Sequence, residues 1–359
     1  MIQTFSSTIR RKEMDAVLTC MVDEKIGPGE LNTRLIQTVK DFTGCDGAAA
    51  FRSPAIAFSY VLKALDLEKG TAIMISALAP YWQYSTIIEC GYKPLILDVI
   101  EETGLVTAEI VQKGISEGGR LLLLHETMGI VPEIEKIVAL GIPVIEDISQ
   151  SVGAVVPEDF EAAEETPNPG AKKKVNRKAG SFGLFTIMGL EEFDTITGGG
   201  GAVVMAPLRR EWIVLKKYTD VAPRTDILPD INSALAYIQL KEFARNEQAR
   251  KALFAIFQRT LMSGKNKTFN RAPDDGSTIW SFPVVLNGSV KDVKQYAGKK
   301  EIEIQPAYED SVIAHLEELE AANYKVAKAL NLRTVLFPLY PRIGSEAASK
   351  ISKVLTTLP

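Results

Sequence analysis

The chain is poor in the residues that most often carry metal or redox chemistry. Its 359 residues include only two histidines and three cysteines. Cys20, Cys45 and Cys90 lie far apart, without a paired spacing, as scattered reduced thiols do. No metal site is expected. Long apolar runs are missing too: nothing approaches the ~20 residues that cross a bilayer. The opening MIQTFSSTIRRKEMDA has no apolar leader core, so a cytoplasmic protein without membrane contact is expected. There is no basic excess either. A net charge of −4 speaks against the positive stripe that nucleic acid requires.

What the chain does have is alternation. Short apolar runs at 72–76, 94–98, 121–125, 143–147, 181–187 and 202–205 are separated by amphipathic stretches such as 53–67, 82–90 and 132–140. Strand and helix alternating at this spacing predict βαβ units and a mainly parallel sheet covered on both faces. After about residue 225 the pattern changes to a long helical run at 234–261. A strand-like 278–286, a helical 309–329, a strand at 335–340 and a terminal helix follow. The expected architecture is a large α/β domain over 1–240 and a smaller α/β domain over 241–359. The biased segment 157–178, acidic and then basic, reads as a solvated loop or hairpin, or as an electrostatic lid for a phosphorylated ligand.

Six segments carry a more specific signal. They are IGPGELNTRLIQTVKDFTGCDGAAAF, HETMGIVPEIEKIVALGIPVIEDISQSVGA, GSFG at 180–183, a run ending EEFDTITGGGG at 201, DINSALAYIQLKEF and FPLYPRIG. In this order and spacing the chain resembles the DegT/StrS sugar aminotransferases, within the type I fold of pyridoxal-phosphate enzymes. The resemblance covers nearly the whole chain and implies a seven-stranded sheet, a homodimer and a nucleotide-linked sugar as ligand. It further implies that Asp147 would pair with the protonated pyridine nitrogen of the cofactor, keeping the ring an electron sink. Gln150 would lie near the ring's phenolic oxygen, and His125 beside the site. Read from the residues alone, Asp147 could as well cap the following turn, and His125 could be a satisfied core histidine. The spacing from His125 to Gly129 is one residue longer than the family's His-x-x-Gly.

The departures from the family pattern matter more than the matches. The Schiff-base lysine position holds Asp194, and no lysine lies between Lys178 and Lys216. An aldimine requires an amine nucleophile, which a carboxylate cannot supply. The usual Ser-Gly-Thr phosphate anchor reads Ser53-Pro54-Ala55 here. Pro54 has no N–H to offer, and serine followed by proline is a good helix start in its own right. Arg52 offers a charge-assisted contact in compensation. A second phosphate hydroxyl is replaced by Gly189. The ring-stacking aromatic falls at Pro80, with Tyr81 one residue away.

Three functions follow from this pattern. The first is a degenerate or repurposed protein that keeps fold and dimer without classical transamination and holds no cofactor covalently. The second is an aminotransferase or dehydratase that holds PLP or PMP non-covalently and acts on a nucleotide-linked keto sugar, with Asp194 or His125 moving protons. The third is a sugar-nucleotide-binding module. An ordinary aspartate, with a pKa near 3.9, is poorly matched to carbon-bound proton transfer at pH 7 unless strongly buried. Asp194 is therefore expected to be inactive, and restoring a lysine together with Pro54→Gly, Ala55→Thr and Gly189→Ser is expected to recover binding.

Overall fold

The computed structural model describes residues 1–160, 173–262, 264–271 and 276–359. Its centre is a sheet whose strands are short runs of Ala, Val, Ile, Leu and Met. These are β1 (Gly47–Phe51), β2 (Ala72–Ser76), β3 (Lys93–Leu97), β4 (Gly119–His125), β5 (Val144–Asp147), β8 (Phe185–Gly189) and β9 (Ala202–Ala206). Their spatial order is β1-β9-β8-β5-β4-β2-β3. Only β9 runs against its neighbours; the other six strands are parallel. Strands buried on both faces read as continuous apolar runs, and Leu121 to Leu124 in β4 do so.

Helices α1 (Arg11–Val22), α2 (Glu30–Thr43), α3 (Pro54–Leu65), α4 (Tyr81–Glu89), α5 (Ala108–Ser116), α6 (Ile134–Val138) and α7 (Arg209–Thr219) precede or link these strands. The run at 234–261 is two helices rather than one. α8 (Asp230–Lys241) and α9 (Phe243–Leu261) meet at Glu242, whose φ of −90° and ψ of 2° leave the helical basin. The strand expected at 181–187 begins only at Phe185, because residues 180–183 are drawn into a turn around a buried carboxylate.

Two smaller sheets complete the described residues. β10 (Phe282–Val285), β11 (Gln305–Pro306) and β12 (Thr334–Phe337) pair antiparallel, with β12 central. Phe254, Phe257, Phe282 and Phe337 are packed beneath them with the terminal helix Ser345–Thr356. β6 (Val155–Phe160) and β7 (Lys173–Lys178) form an antiparallel hairpin, as the loop-or-hairpin expectation allowed. The intervening part of the 157–178 segment, where a lid was considered, lies outside the described residues.

The parallel strands all point their carboxyl ends the same way. That edge collects Phe51, Ser76, His125, Asp147 and Gly189, the usual place for ligand groups in an open α/β sheet. The extra residue between His125 and Gly129 is absorbed by a left-handed Met128 at φ 58°. Gly129 follows at φ 77°, and a Cβ there would meet the Thr278 carbonyl oxygen at 2.1 Å. Gly129→Ala is therefore expected to lower stability by at least about 2 kcal/mol, from positive-φ strain and a backbone clash together. Urea denaturation checks this; an unchanged midpoint would contradict the close approach.

Candidate active site at the carboxyl edge of the sheet

Asp147 ends β5 and is wholly buried, as is Glu146 before it. A buried carboxylate must fill its lone pairs from neighbouring donors, and Asp147 does so completely. Its Oδ2 accepts from His125 Nδ1 at 2.9 Å and from Gln83 Nε2 at 2.7 Å. Its Oδ1 accepts from the backbone N–H and the hydroxyl of Ser149. Burial alone would raise its pKa, but His125 and the Ser149 donors outweigh that and hold Asp147 below the ordinary carboxylate value.

Glu146 faces the other side of β5. It is cradled by three backbone donors, Gly180 and Phe182 at 2.7 Å and Gly183 at 2.6 Å. The GSFG sequence is thus a carboxylate nest. Gly180 has φ 86°, and a Cβ on Gly183 would meet the Val144 carbonyl at 2.6 Å. Burial raises the Glu146 pKa and the three N–H groups oppose the rise. Glu126 lies beside it, completely buried, accepting from the Ser151 hydroxyl. Burial, and then the Glu146 charge, push the Glu126 pKa well up.

Asp194 follows the turn after β8. Its Oδ2 accepts from the Glu191 N–H at 2.8 Å. The same oxygen fills the space beside Gly189: an ideal Cβ there would come within 2.3 Å of it and within 2.7 Å of Ser149 Oγ. Burial first, then the charges of Asp147 and Glu191, raise the Asp194 pKa to about 8, against the opposing Glu191 N–H bond. The side chain is half-buried in its turn, and its pKa stands well above that of an ordinary aspartate. Phe5, Phe193 and Trp280 stack over this turn with centroids 4.7 and 5.4 Å apart, and Trp280 donates to the Phe193 carbonyl at 2.6 Å.

The remaining candidates are dispersed along the edge. Ser53 caps α3, accepting from the Ile56 N–H at 3.2 Å, with Pro54 in the first turn. Arg52 is exposed, and its N–H donates to the Asp226 carbonyl at 2.8 Å. The Tyr81 ring packs on His315 at 4.2 Å and on Tyr84 at 5.6 Å. Gln150 spends its amide oxygen on the Met128 N–H at 2.7 Å. Only His125, Asp147 and Asp194 converge. Two participants were missed from sequence, Gln83 and Glu126. Gln83 shares a helical face with Thr86 and Ile87, so a buried amide among core positions was the available signal.

These residues do not fit pyridoxal phosphate. Asp147 has no lone pair free for a pyridinium N–H, since about four acceptor sites meet four donors. The Ser53 hydroxyl is committed to its helix, Pro54 has no N–H, and no amine stands at Asp194. Gly189 has no room for a serine while the Asp194 carboxyl stands beside it, Asp194 Oδ2 being the nearest atom to a Cβ built there. The cavity beside Asp194, lined also by Thr195, Asn246 and Trp280, holds about 40 Å3, enough for a few waters.

Sheet order, helix placement and the carboxylate at the end of β5 define the fold class of pyridoxal-phosphate-dependent transferases. The chain belongs to the DegT/DnrJ/EryC1/StrS aminotransferase family, whose profile matches residues 7–356. Solved structures with the same fold are distant in sequence. A candidate sugar aminotransferase from Streptococcus pneumoniae, in its PMP form, superposes with TM-score 0.82 at 15% identity, covering 97% of this chain and 95% of that one. An aminotransferase from Streptoalloteichus hindustanus gives 0.83 at 14% identity, covering 99% and 98%. A GDP-4-keto-6-deoxymannose-3-dehydratase with bound GDP-perosamine gives 0.81 at 15%, covering 99% and 100%.

The Asp194 environment predicts a pH effect. Its folded pKa, about 8, lies above the unfolded value, so the unfolded state loses its proton first as pH rises. Asp194 therefore reduces stability progressively as pH rises from about 4 towards 8. Asp194→Asn removes this dependence: its stability relative to wild type should rise from pH 5 to pH 8. Parallel urea titrations check it, and a pH-independent offset would contradict the assigned environment.

Proposed function

We propose that this chain is a repurposed family member that does not carry out classical pyridoxal-phosphate transamination. Asp194 carries the reading. At the position where the resemblance puts the lysine it is a half-buried carboxyl group, tied to the Glu191 N–H and packed on Gly189. Carbon–nitrogen double-bond formation needs an amine at that point, and a carboxyl group has no nitrogen to supply. The capped Ser53 and the filled Asp147 support the same conclusion independently.

A second reading has one observation in its favour. A carboxyl group with a pKa near 8 is matched to general acid–base work at neutral pH. In that reading a PMP-type cofactor is held non-covalently and Asp194 moves protons for a nucleotide-linked sugar substrate, the chemistry that the name of the dehydratase neighbour suggests.

We further propose a symmetric homodimer. The outer face of α1 supports it: Met14, Leu18, Met21 and Val22 lie on one stripe, each more than half exposed. An apolar stripe of this kind on a soluble chain marks an association surface.

Purified protein mixed with pyridoxal phosphate is expected to show no internal-aldimine absorbance and no borohydride-trapped adduct in this cleft. Asp194→Lys alone should not restore either, because the phosphate anchor and Asp147 remain unavailable. A trapped lysine adduct in the wild-type cleft would overturn the reading. Light scattering at micromolar concentration should give twice the 39.3 kDa chain mass. A monomer mass would contradict the dimer.

A further inference from the structure

Gln83 has no place among the family contacts considered above, yet it is wholly buried and its Nε2 lies 2.7 Å from Asp147 Oδ2. The orientation is forced, since the reversed amide would set a carbonyl oxygen against a carboxylate. The other end of the amide is unsatisfied: Gln83 Oε1 is buried and accepts no hydrogen bond. An orphaned buried acceptor is unfavourable, so this side chain is held in place by its one charge-assisted bond. His125 Nδ1 and the two Ser149 donors account for the other lone pairs of Asp147.

Resting on the reading that cofactor chemistry has been abandoned, we propose that Gln83 is a built-in occupant of the pyridine-nitrogen site, its amide N–H standing where a protonated ring nitrogen would meet Asp147. Asp147 is thereby a latent acceptor for protonated nitrogen heterocycles, closed by one side chain. Removing that side chain would leave a buried carboxylate with one unfilled lone pair. A carboxylate in that state takes up a cation in preference to a neutral molecule. The arrangement also keeps the His125–Asp147 pair intact without a ligand.

The test uses imidazole and pyridoxamine 5′-phosphate as probes on full-length protein. Imidazole should bind Gln83→Ala at least about tenfold more tightly than wild type, one charge-assisted hydrogen bond being of that order. Calorimetry and melting-temperature shifts read this directly. Asp147→Asn in the Gln83→Ala background should abolish the gain. Equal imidazole affinity in wild type and Gln83→Ala would overturn the proposal.

Gln83→Glu gives a second test that does not depend on opening a cavity. It sets a second carboxyl against Asp147, raising a folded pKa, so its stability deficit against wild type should widen from pH 5 to pH 8. A constant deficit would count against direct contact. The two readings fail separately. Wild-type protein that binds pyridoxamine phosphate without forming an aldimine with pyridoxal phosphate overturns the role of Gln83 alone. An aldimine on a lysine of this cleft overturns the loss of lysine chemistry.

Discussion

The organisation of the sheet edge depends on how one buried carboxylate fills its coordination. Asp147 sits wholly buried at the end of a strand, and an unpaired charge there would cost several kcal/mol. Its four donors come from three separate places in the chain: the end of β4 (His125), the first turn of α4 (Gln83) and the turn after β5 (Ser149). These segments are locked together by the need to neutralise it. Ser149 extends the lock, since its hydroxyl also accepts from the Gly189 N–H at 2.8 Å. Gly189 in turn lies against Asp194, so Asp194 and Asp147 share one connected network.

That network is dense in acid. Glu126, Glu146, Asp147 and Asp194 lie close together, with His125 as the imidazole among them. Charge balance is reached by three different devices. Asp147 keeps its charge because His125 and Ser149 support it. Glu146 is relieved by a nest of glycine-rich backbone N–H groups. Glu126 and Asp194 respond in a third way, burial raising the pKa of each and favouring the protonated form. Satisfaction is not complete: Gln83 Oε1 and Glu126 Oε1 are buried acceptors without a hydrogen-bond partner.

The sheet was legible in the sequence because apolar runs at strand spacing report burial directly. The family was legible because six segments keep their order. The helix break at Glu242 was not, since the sequence on both sides of it is helix-forming. The site was legible only in part. Asp147 could be named because it stands at a strand end, and His125 and Asp194 because they stand in segments that resemble the family's. Gln83 was missed: its place on a helical face with Thr86 and Ile87 signals burial, but only the docked helix shows that it meets Asp147. The raised pKa of Asp194 was equally hidden, because desolvation is a property of packing rather than of residue type. GSFG was read as a family signature, while its physical role, wrapping Glu146, emerged only from the hydrogen bonds.

The central claim is that Gln83, not a cofactor ring, completes Asp147. A crystal structure of wild-type protein soaked in saturating pyridoxamine 5′-phosphate tests it most directly. The account predicts the Gln83 amide still within hydrogen-bond distance of Asp147 Oδ2, with no ring density at that carboxylate. A pyridine nitrogen on Asp147, with Gln83 turned away, would contradict it.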